Sequence, residues 1–193
     1  MFASSIPKED IKHLPLIKFE GTIHTVETVE ALDEALNIIR TQEIMGFDTE
    51  TKPTFTKGDY NHTAIIQLST LTDAYIIRIS EIGIPDQLRN ILEDQGILKV
   101  GISIRDDIKE LKAMKAFKPG GFLDLNEIAK ELGITQIGMK SLTGIFLKAR
   151  ISKSQQTSNW ETKELSPGQL SYAATDAWVC IKIYQMLLDK GVI

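Results

Sequence analysis

Hydrophobic and polar positions follow two periodicities along this chain, and their order predicts an α/β fold. Short apolar runs between turn residues are typical of buried strands, whereas apolar residues three and four apart are typical of helices on a sheet. Strand-type runs occur at 44–47, 64–69, 74–79 and 97–102, with shorter candidates at 22–26 and 122–125. Helix-type patterns occur at about 28–39, 85–93, 103–117, 126–132, 140–147 and 166–190.

The connections between these segments predict how the strands pair. The link at 71–73 is short enough for an antiparallel hairpin, and the following strand, helix and strand favour parallel neighbours. We therefore predict a mixed β-sheet with an antiparallel hairpin and helices on both faces. Pro7 and Pro15 interrupt the first 25 residues, which we expect to be irregular. We interpret residues 1–24 as an N-terminal extension and 25–193 as one domain.

Composition narrows the class of protein. The chain has 193 residues, of which 42% are hydrophobic and 25% charged, which is ordinary for one soluble globular domain. Its formal net charge of -4 argues against binding polyanions by bulk charge, so nucleic acid would require a local patch or a metal. The single Cys180 excludes an internal disulfide and a cysteine-based zinc site.

The N-terminal sequence and the apolar runs indicate where in the cell the protein is expected. Acidic residues occur early and no apolar signal-peptide core follows them, and no apolar run approaches the length of a membrane span. We expect a cytoplasmic protein with no membrane partner.

Two acids, Asp48 and Glu50, follow the first buried strand. Because side chains alternate along a strand, both carboxylates point to one face, where they repel each other and resist desolvation. A cation between them would relieve that repulsion. The alternative is an acidic strand end in solvent, which a lone Asp-x-Glu pattern favours.

The last helix supplies a third acid. Asp176 lies on a flank that continues into Val179 and Ile183, so it is predicted to be partly buried, and a buried carboxylate needs a partner. Tyr172 lies one turn earlier on that flank, where its phenol could reach a water near a metal. The alternative for Asp176 is a hydrogen bond to a loop.

A fourth acid is expected where the helix after strand 97–102 begins. Asp107 shares a face with Leu111 and Met114, whereas Asp106 is offset by about 100° and is expected to face water. The alternative for Asp107 is a helix cap, a role for which Asp106 and Ser103 compete.

The candidate carboxylates and the phenol offer only oxygen atoms as ligands, which favours hard cations such as Mg²⁺ or Mn²⁺. Several carboxylates around two such ions are typical of sites for phosphoryl transfer. The candidate set is Asp48, Glu50, Asp107 and Asp176, with Tyr172.

Three stretches, 47–50, 100–107 and 172–177, resemble the motifs of the DEDD superfamily of 3′-5′ exonucleases, which have a ribonuclease H-like fold. The tyrosine in the third motif marks the DEDDy branch, which includes ribonuclease D and the exonuclease domain of Werner-type helicases. The likeness is greatest to the Werner-type domain, and it also involves 64–68, 140–142, 158–160 and 170–171.

The resemblance implies a metal-dependent 3′-5′ exonuclease that releases nucleoside 5′-monophosphates. Asp48, Glu50, Asp107 and Asp176 would bind two divalent ions, Mg²⁺ or Mn²⁺, and Tyr172 would orient the attacking water. The implied partners are DNA or RNA 3′ ends, and the Werner-type likeness favours DNA. The alternatives are an RNA-processing enzyme like ribonuclease D, or a non-catalytic nucleic-acid-binding module on this fold.

Six further residues are candidates for substrate contacts. Basic side chains near the motifs could contact phosphates, and aromatic side chains on the loop after the first motif could stack on terminal bases. The alternatives are ordinary solvated charges and packing beneath that loop. The candidates are Lys52, Lys148, Arg150 and Lys153 for phosphate, and Phe55 and Tyr60 for bases.

Overall fold

A computed structural model describes residues 2–56 and 58–193 of this protein, so Met1 and Lys57 lie outside the described residues. Over those residues, six strands form one mixed sheet in the order β1-β4-β3-β2-β5-β6. The strands are β1 Thr22–Val26, β2 Ile44–Thr51, β3 Thr63–Ser69, β4 Asp73–Ile77, β5 Leu98–Gly101 and β6 Phe122–Asp124. The helices are α1 Lys8–His13, α2 Val29–Ile39, α3 Ile79–Ile82, α4 Asp86–Glu93, α5 Arg105–Met114, α6 Leu125–Glu131, α7 Met139–Leu142 and α8 Pro167–Asp189.

Strand pairing confirms the predicted mixed sheet. β3 is antiparallel to both β2 and β4, and it forms the expected hairpin with β4. β5 runs parallel to β2, and β1 and β6 extend the two edges in parallel with β4 and β5. The strand that carries the first motif, β2, is therefore central.

Helices cover both faces of the sheet, as predicted. On one face, the apolar sides of α2, α4 and α5 pack against strand residues that include Phe47 and Leu68. On the other face, α8 packs against β2, β3 and β5, and its buried residues include Ala177 and Ile183. Because alternate residues of β2 face opposite layers, Phe47 is buried under one layer while Asp48 faces the other.

The prediction of an irregular N-terminus is wrong for residues 8–13, which form α1. This helix is short and buries only Ile11, so its sequence has no helical periodicity to detect. Beyond it, Leu16 forms a parallel bridge with Arg150, and the Ile17 amide donates to the Arg150 carbonyl at 2.9 Å. β1 begins at Thr22, within the segment interpreted as the N-terminal extension. The boundary between that extension and the domain, at 24/25, stays a prediction.

The region predicted as one helix at 140–147 consists of α7 followed by a π-helical turn, Thr143–Leu147. Lys148 then adopts a left-handed conformation with φ 52°, and the chain enters a polar segment before α8. α8 begins as predicted, since Ser166 and Gln169 form a reciprocal capping box ahead of the first turn.

Among the described residues, no helix is both long enough and apolar enough to cross a membrane.

Candidate metal centre

The first two acids project beyond the end of the neighbouring strand. β5 pairs with β2 only as far as Gly46, whereas β3 continues alongside β2 to Thr51. After Gly101 the chain turns away into α5. The predicted shared face of Asp48 and Glu50 therefore borders a cleft at the carboxyl ends of two parallel strands.

A close contact between β2 and α8 brings the third acid to this cleft. A Cβ on Gly46 would lie 1.9 Å from the carbonyl oxygen of Ala177, so only glycine allows the helix to approach this closely. Ala173 and Ala177 are fully buried at the contact. As a result, carboxylate oxygens of Asp48, Glu50 and Asp176 lie within 4.8 Å of one another.

The three carboxylates are poorly compensated within the protein. Burial raises the pKa of Asp48 well above its ordinary value, and the charges of Asp176 and Asp107 raise it further. Burial also raises the pKa of Glu50 to about 10, with added repulsion from Asp48 and Asp176. Burial raises the pKa of Asp176 to about 7, although the Tyr172 hydroxyl and Lys153 act in the opposite direction. A divalent cation would supply the missing positive charge.

The donor set fits a hard divalent ion. Asp176 is 6% exposed, and its Oδ1 atom has no hydrogen-bond partner in the described part of the chain. Together with Asp48 and Glu50, it offers carboxylate oxygens and no nitrogen or sulfur, the combination that suits Mg²⁺ or Mn²⁺.

Tyr172 lines the same cleft as the three acids, one helical turn before Asp176. Burial and the charge of Asp176 raise the pKa of its phenol above the ordinary value. Its ring lies 5.9 Å from that of Trp160, between centroids, which fixes its position. Tyr172 is therefore a neutral, well-supported hydrogen-bond donor at the edge of the cluster.

Asp107 lies outside the three-carboxylate cluster. It accepts a hydrogen bond from the Thr49 hydroxyl, and Thr49 lies on the face of β2 opposite Asp48. Burial raises the pKa of Asp107, while the Thr49 hydroxyl lowers it, and its charge raises the pKa of Asp48. Asp107 is half-buried and Asp106 is exposed, which agrees with the orientations predicted from helical register.

Lys153 is the candidate basic residue that reaches the carboxylates. It lines the cleft, which has a volume of about 300 Å³. The rest of that lining, beyond the acids and Tyr172, comprises Thr49, Ile102, Ser103, Met139, Ile151 and Gln156.

The other basic candidates lie elsewhere. Lys52 forms an ion pair with Glu161 at 3.0 Å, and Nε of Arg150 donates to the Leu14 carbonyl at 3.0 Å. Lys148 is exposed at the end of the π-helical turn. None of the three is among the described residues that line the carboxylate cleft.

The aromatic candidates differ in their contacts. Phe55 is 86% exposed, so it does not pack beneath its loop, which was the alternative interpretation. The Tyr60 hydroxyl donates to Glu110, and its ring lies edge-on to His62 with centroids 5.0 Å apart. Phe55 is available for stacking, whereas Tyr60 ties the loop to α5.

One wall of the cleft depends on residues that the sequence analysis did not single out. Asp124 accepts hydrogen bonds from the backbone amides of Ser103 and Ile104 at 3.0 and 3.1 Å. Buried Asn126 donates from Nδ2 to the Ser103 hydroxyl at 2.7 Å. These bonds hold Ser103 at φ 64°, a conformation uncommon outside glycine. The sequence signal of this support is an Asp-x-Asn pattern, Asp124 to Asn126, at the end of the predicted strand 122–125.

Two buried side chains anchor the polar segment that carries Lys153. Trp160 is fully buried, and its ring lies 5.9 Å from that of Tyr172, between centroids. Arg78, also buried, donates to the carbonyls of Thr162 and Lys163 and pairs with Glu27 at 2.7 Å. The strand pattern gives no sign of this role of Arg78, because the two carbonyls that it contacts lie 84 and 85 residues away in the sequence.

Gln67 is a further buried group beside the acids. It pairs with Asp48 across β2 and β3 and is fully buried, and neither atom of its amide has a partner among the described residues. In the sequence, the sign of this buried amide is a polar residue inside the apolar run at 64–69.

Comparisons with known proteins agree with this geometry. The family model of the 3′-5′ exonuclease matches residues 23–191. "Exonuclease 3'-5' domain-containing protein 2" of Drosophila melanogaster is 30% identical over 190 residues, which cover 96% of this chain and 31% of that protein. The mouse "Bifunctional 3'-5' exonuclease/ATP-dependent helicase WRN" is 30% identical over 93% of this chain and 14% of its own length.

The crystal structure of the Aedes aegypti Nibbler EXO domain is similar to this fold. The two align with a TM-score of 0.80 and 25% identity, covering 90% of each chain. The chain spans less than a third of the Drosophila and mouse relatives, so the similarity to them concerns one domain of each.

Proposed function

The chain belongs to the 3′-5′ exonuclease family, and we propose that it removes nucleotides from the 3′ end of a nucleic acid strand. The products would be nucleoside 5′-monophosphates. The observation that carries this proposal is the cluster of Asp48, Glu50 and Asp176, whose carboxylate oxygens lie within 4.8 Å of one another in a cleft that also contains Tyr172.

The acids would hold two divalent ions, Mg²⁺ or Mn²⁺, which would activate water and neutralise the charge that develops on the phosphate. Asp48, Glu50 and Asp176 provide the oxygens that converge in the cleft. Asp107 is included as the second-motif acid. Its charge acts on Asp48, and its hydrogen bond to Thr49 holds it against the back of β2.

Tyr172 would orient the attacking water. A phenol with a raised pKa stays protonated at neutral pH and can donate or accept one hydrogen bond without losing its proton. Lys153, which also lines the cleft, would place a positive charge near the scissile phosphate.

The remaining candidates have separate roles in this proposal. Phe55 would stack on a terminal base, since its ring is free of the protein core. Lys52 and Tyr60 would act by holding the loops that border the substrate, since each is bonded to another segment. Arg150 would hold the N-terminal segment through Nε and offer its positive charge to phosphate. Exposed Lys148 would contact phosphate outside the cleft.

We propose DNA rather than RNA as the substrate. The support is the likeness of the motifs to the Werner-type domain and the 30% identity to the mouse helicase-exonuclease. Faster degradation of a matched RNA strand than of the DNA strand would reverse this preference.

A degradation assay with a 5′-labelled oligonucleotide and Mn²⁺ tests the proposal. We expect a ladder that shortens by single nucleotides from the 3′ end. Asp48→Ala should abolish it because the cluster loses a central ligand. Asp106→Ala is the matched control, since this acid is exposed and should keep wild-type activity. Internal cleavage products, or an active Asp48→Ala variant, would contradict the proposal.

A further inference from the structure

A second cavity, distinct from the carboxylate cleft, is lined by basic residues. Its volume is about 470 Å³, and among the described residues the four charged ones that line it are all basic: Lys12, Lys140, Arg150 and Lys153. Ile11, Ile151 and Ser152 complete the lining, and we refer to these seven residues as the basic groove. In a chain with a net charge of -4, this is a local concentration of positive charge.

The basic groove is continuous with the carboxylate cleft. Ile151 and Lys153 line both of them. The Lys153 charge also acts directly on Asp176, one of the three clustered acids. A chain-like ligand could therefore extend from the cleft into the groove without leaving the surface.

The charges of the groove are available to a ligand. In the described part of the chain, Lys140, Arg150 and Lys153 form no ion pair with a carboxylate, and the Arg150 guanidinium bonds to a neutral carbonyl. Lys12 pairs with Glu9 at 2.9 Å, but both side chains are largely exposed, so solvent screens that pair.

Lys12 comes from the N-terminal segment, which is firmly attached here. Ile11 is 1% exposed, and the rings of Phe2 and Phe146 meet edge to face at 4.9 Å. The Arg150 amide donates to the Pro15 carbonyl at 2.9 Å. α1 therefore holds Lys12 at a fixed place beside the groove, although the matched family region begins only at residue 23.

We propose that the basic groove binds the phosphodiester backbone of the single strand that leads to the scissile bond. The N-terminal segment would thus be part of the substrate site, through Lys12. This inference rests on the proposed exonuclease function. Several cations spaced along an open groove match a ligand with repeating phosphates, and the shared wall with the cleft connects them to the site of cleavage.

The proposal makes the contribution of Lys12 depend on substrate length. For a single-stranded oligonucleotide of about twelve nucleotides, Lys12→Gln should raise KM roughly two- to fivefold, the range of one exposed charge contact, and leave kcat unchanged. The slope of log(kcat/KM) against log[salt] should become shallower by about 0.7, the value for one phosphate of a single strand. A dinucleotide, too short to extend from the cleft to Lys12, should be degraded by this variant as by the wild type.

The experiment compares Lys12→Gln and Lys140→Gln with Lys112→Gln at constant Mn²⁺. Lys112 is an exposed lysine on α5, on the opposite face of the sheet, and its substitution should change neither KM nor the salt slope. Equal melting temperatures would show that the variants are folded. The proposal is supported if both groove variants, but not the control, show a shallower salt slope on the long strand and wild-type behaviour on the dinucleotide.

Salt slopes that equal the wild-type slope in both groove variants would overturn the proposal that the groove binds the phosphodiester backbone, while leaving the exonuclease function intact. A wild-type protein that degrades neither the long strand nor the dinucleotide would instead overturn the exonuclease function on which the groove depends.

Discussion

At the scale of single residues, the site concentrates negative charge that the described residues offset only in part. Asp48, Glu50 and Asp176 converge within 4.8 Å, and burial is the largest cause of the raised pKa of each. Such an arrangement costs folding free energy when no cation is present. That cost supports our proposal that these residues bind a cation.

This charge makes the stability of the metal-free protein depend on pH in an unusual direction. The pKa of Asp176 is about 7 and that of Glu50 about 10 when folded, whereas unfolded carboxyls titrate near 4. Between about pH 5 and pH 8 the folded state binds more protons, so the free energy of unfolding should fall as pH rises. Denaturation in EDTA at several pH values measures this.

Asp176→Asn provides the control for that prediction. It removes one of the titrating groups, so its free energy of unfolding should fall less steeply than that of the wild type over the same range. Mn²⁺ should stabilise the wild type increasingly as pH rises, because metal binding requires ionised ligands. A free energy of unfolding that rises with pH in EDTA would contradict this description of the cluster.

Tyr172→Phe separates positioning of water from metal binding. The phenol borders the acids, and its ring is held by Trp160, so its removal should leave the cluster intact. We expect kcat to fall by roughly a hundredfold, the lower end for a group that handles a reacting proton. Mn²⁺ affinity, measured by titration calorimetry, should stay close to that of the wild type. Wild-type turnover in this variant would contradict the proposal that Tyr172 orients the attacking water.

At the scale of elements, the site is made by the contact between β2 and α8. Strand alternation predicted the shared face of Asp48 and Glu50, and the helical flank predicted the burial of Asp176. These patterns give no sign that Thr175, a polar residue of α8, is buried. Thr175 is buried because its hydroxyl accepts a hydrogen bond from the Phe19 amide at 3.0 Å, across 156 residues of sequence. Sequence periodicity cannot detect a contact between residues so far apart in the chain.

Gly46→Ala should disturb that contact without touching an acid. The new Cβ would lie 1.9 Å from the Ala177 carbonyl oxygen, so α8 must move away from β2 and take Asp176 with it. We expect a loss of roughly 1–3 kcal/mol in the free energy of unfolding, as for other overpacked sites, together with weaker Mn²⁺ binding. Chemical denaturation and Mn²⁺ titration give the two quantities.

Gly96→Ala is the matched control for the Gly46 substitution. Its Cβ would meet only the Asp94 side chain, at 3.2 Å, and that carboxylate can move. Stability and Mn²⁺ affinity should both stay near the wild-type values. If Gly46→Ala behaves like Gly96→Ala, the close approach of α8 does not determine the position of Asp176.

At the scale of the whole molecule, most of the fold was predictable and much of the surface around the site was not. The order of strands and helices follows from local periodicity, which gave the mixed sheet with its hairpin. The attachment of α1 and the anchoring of the Lys153 segment by Arg78 depend on contacts distant in sequence. For that reason Lys153 could not be distinguished beforehand from Arg150, which bonds to the N-terminal segment instead of reaching the acids.

The central claim is that Asp48, Glu50 and Asp176 form a metal centre for phosphodiester hydrolysis, and anomalous diffraction from crystals soaked in Mn²⁺ tests it most directly. We predict anomalous density bounded by carboxylate oxygens of these three residues, and its loss or marked weakening in crystals of Asp176→Asn. Crystals of the folded wild-type protein that show no anomalous density in this cleft, at Mn²⁺ concentrations that support activity, would contradict the claim.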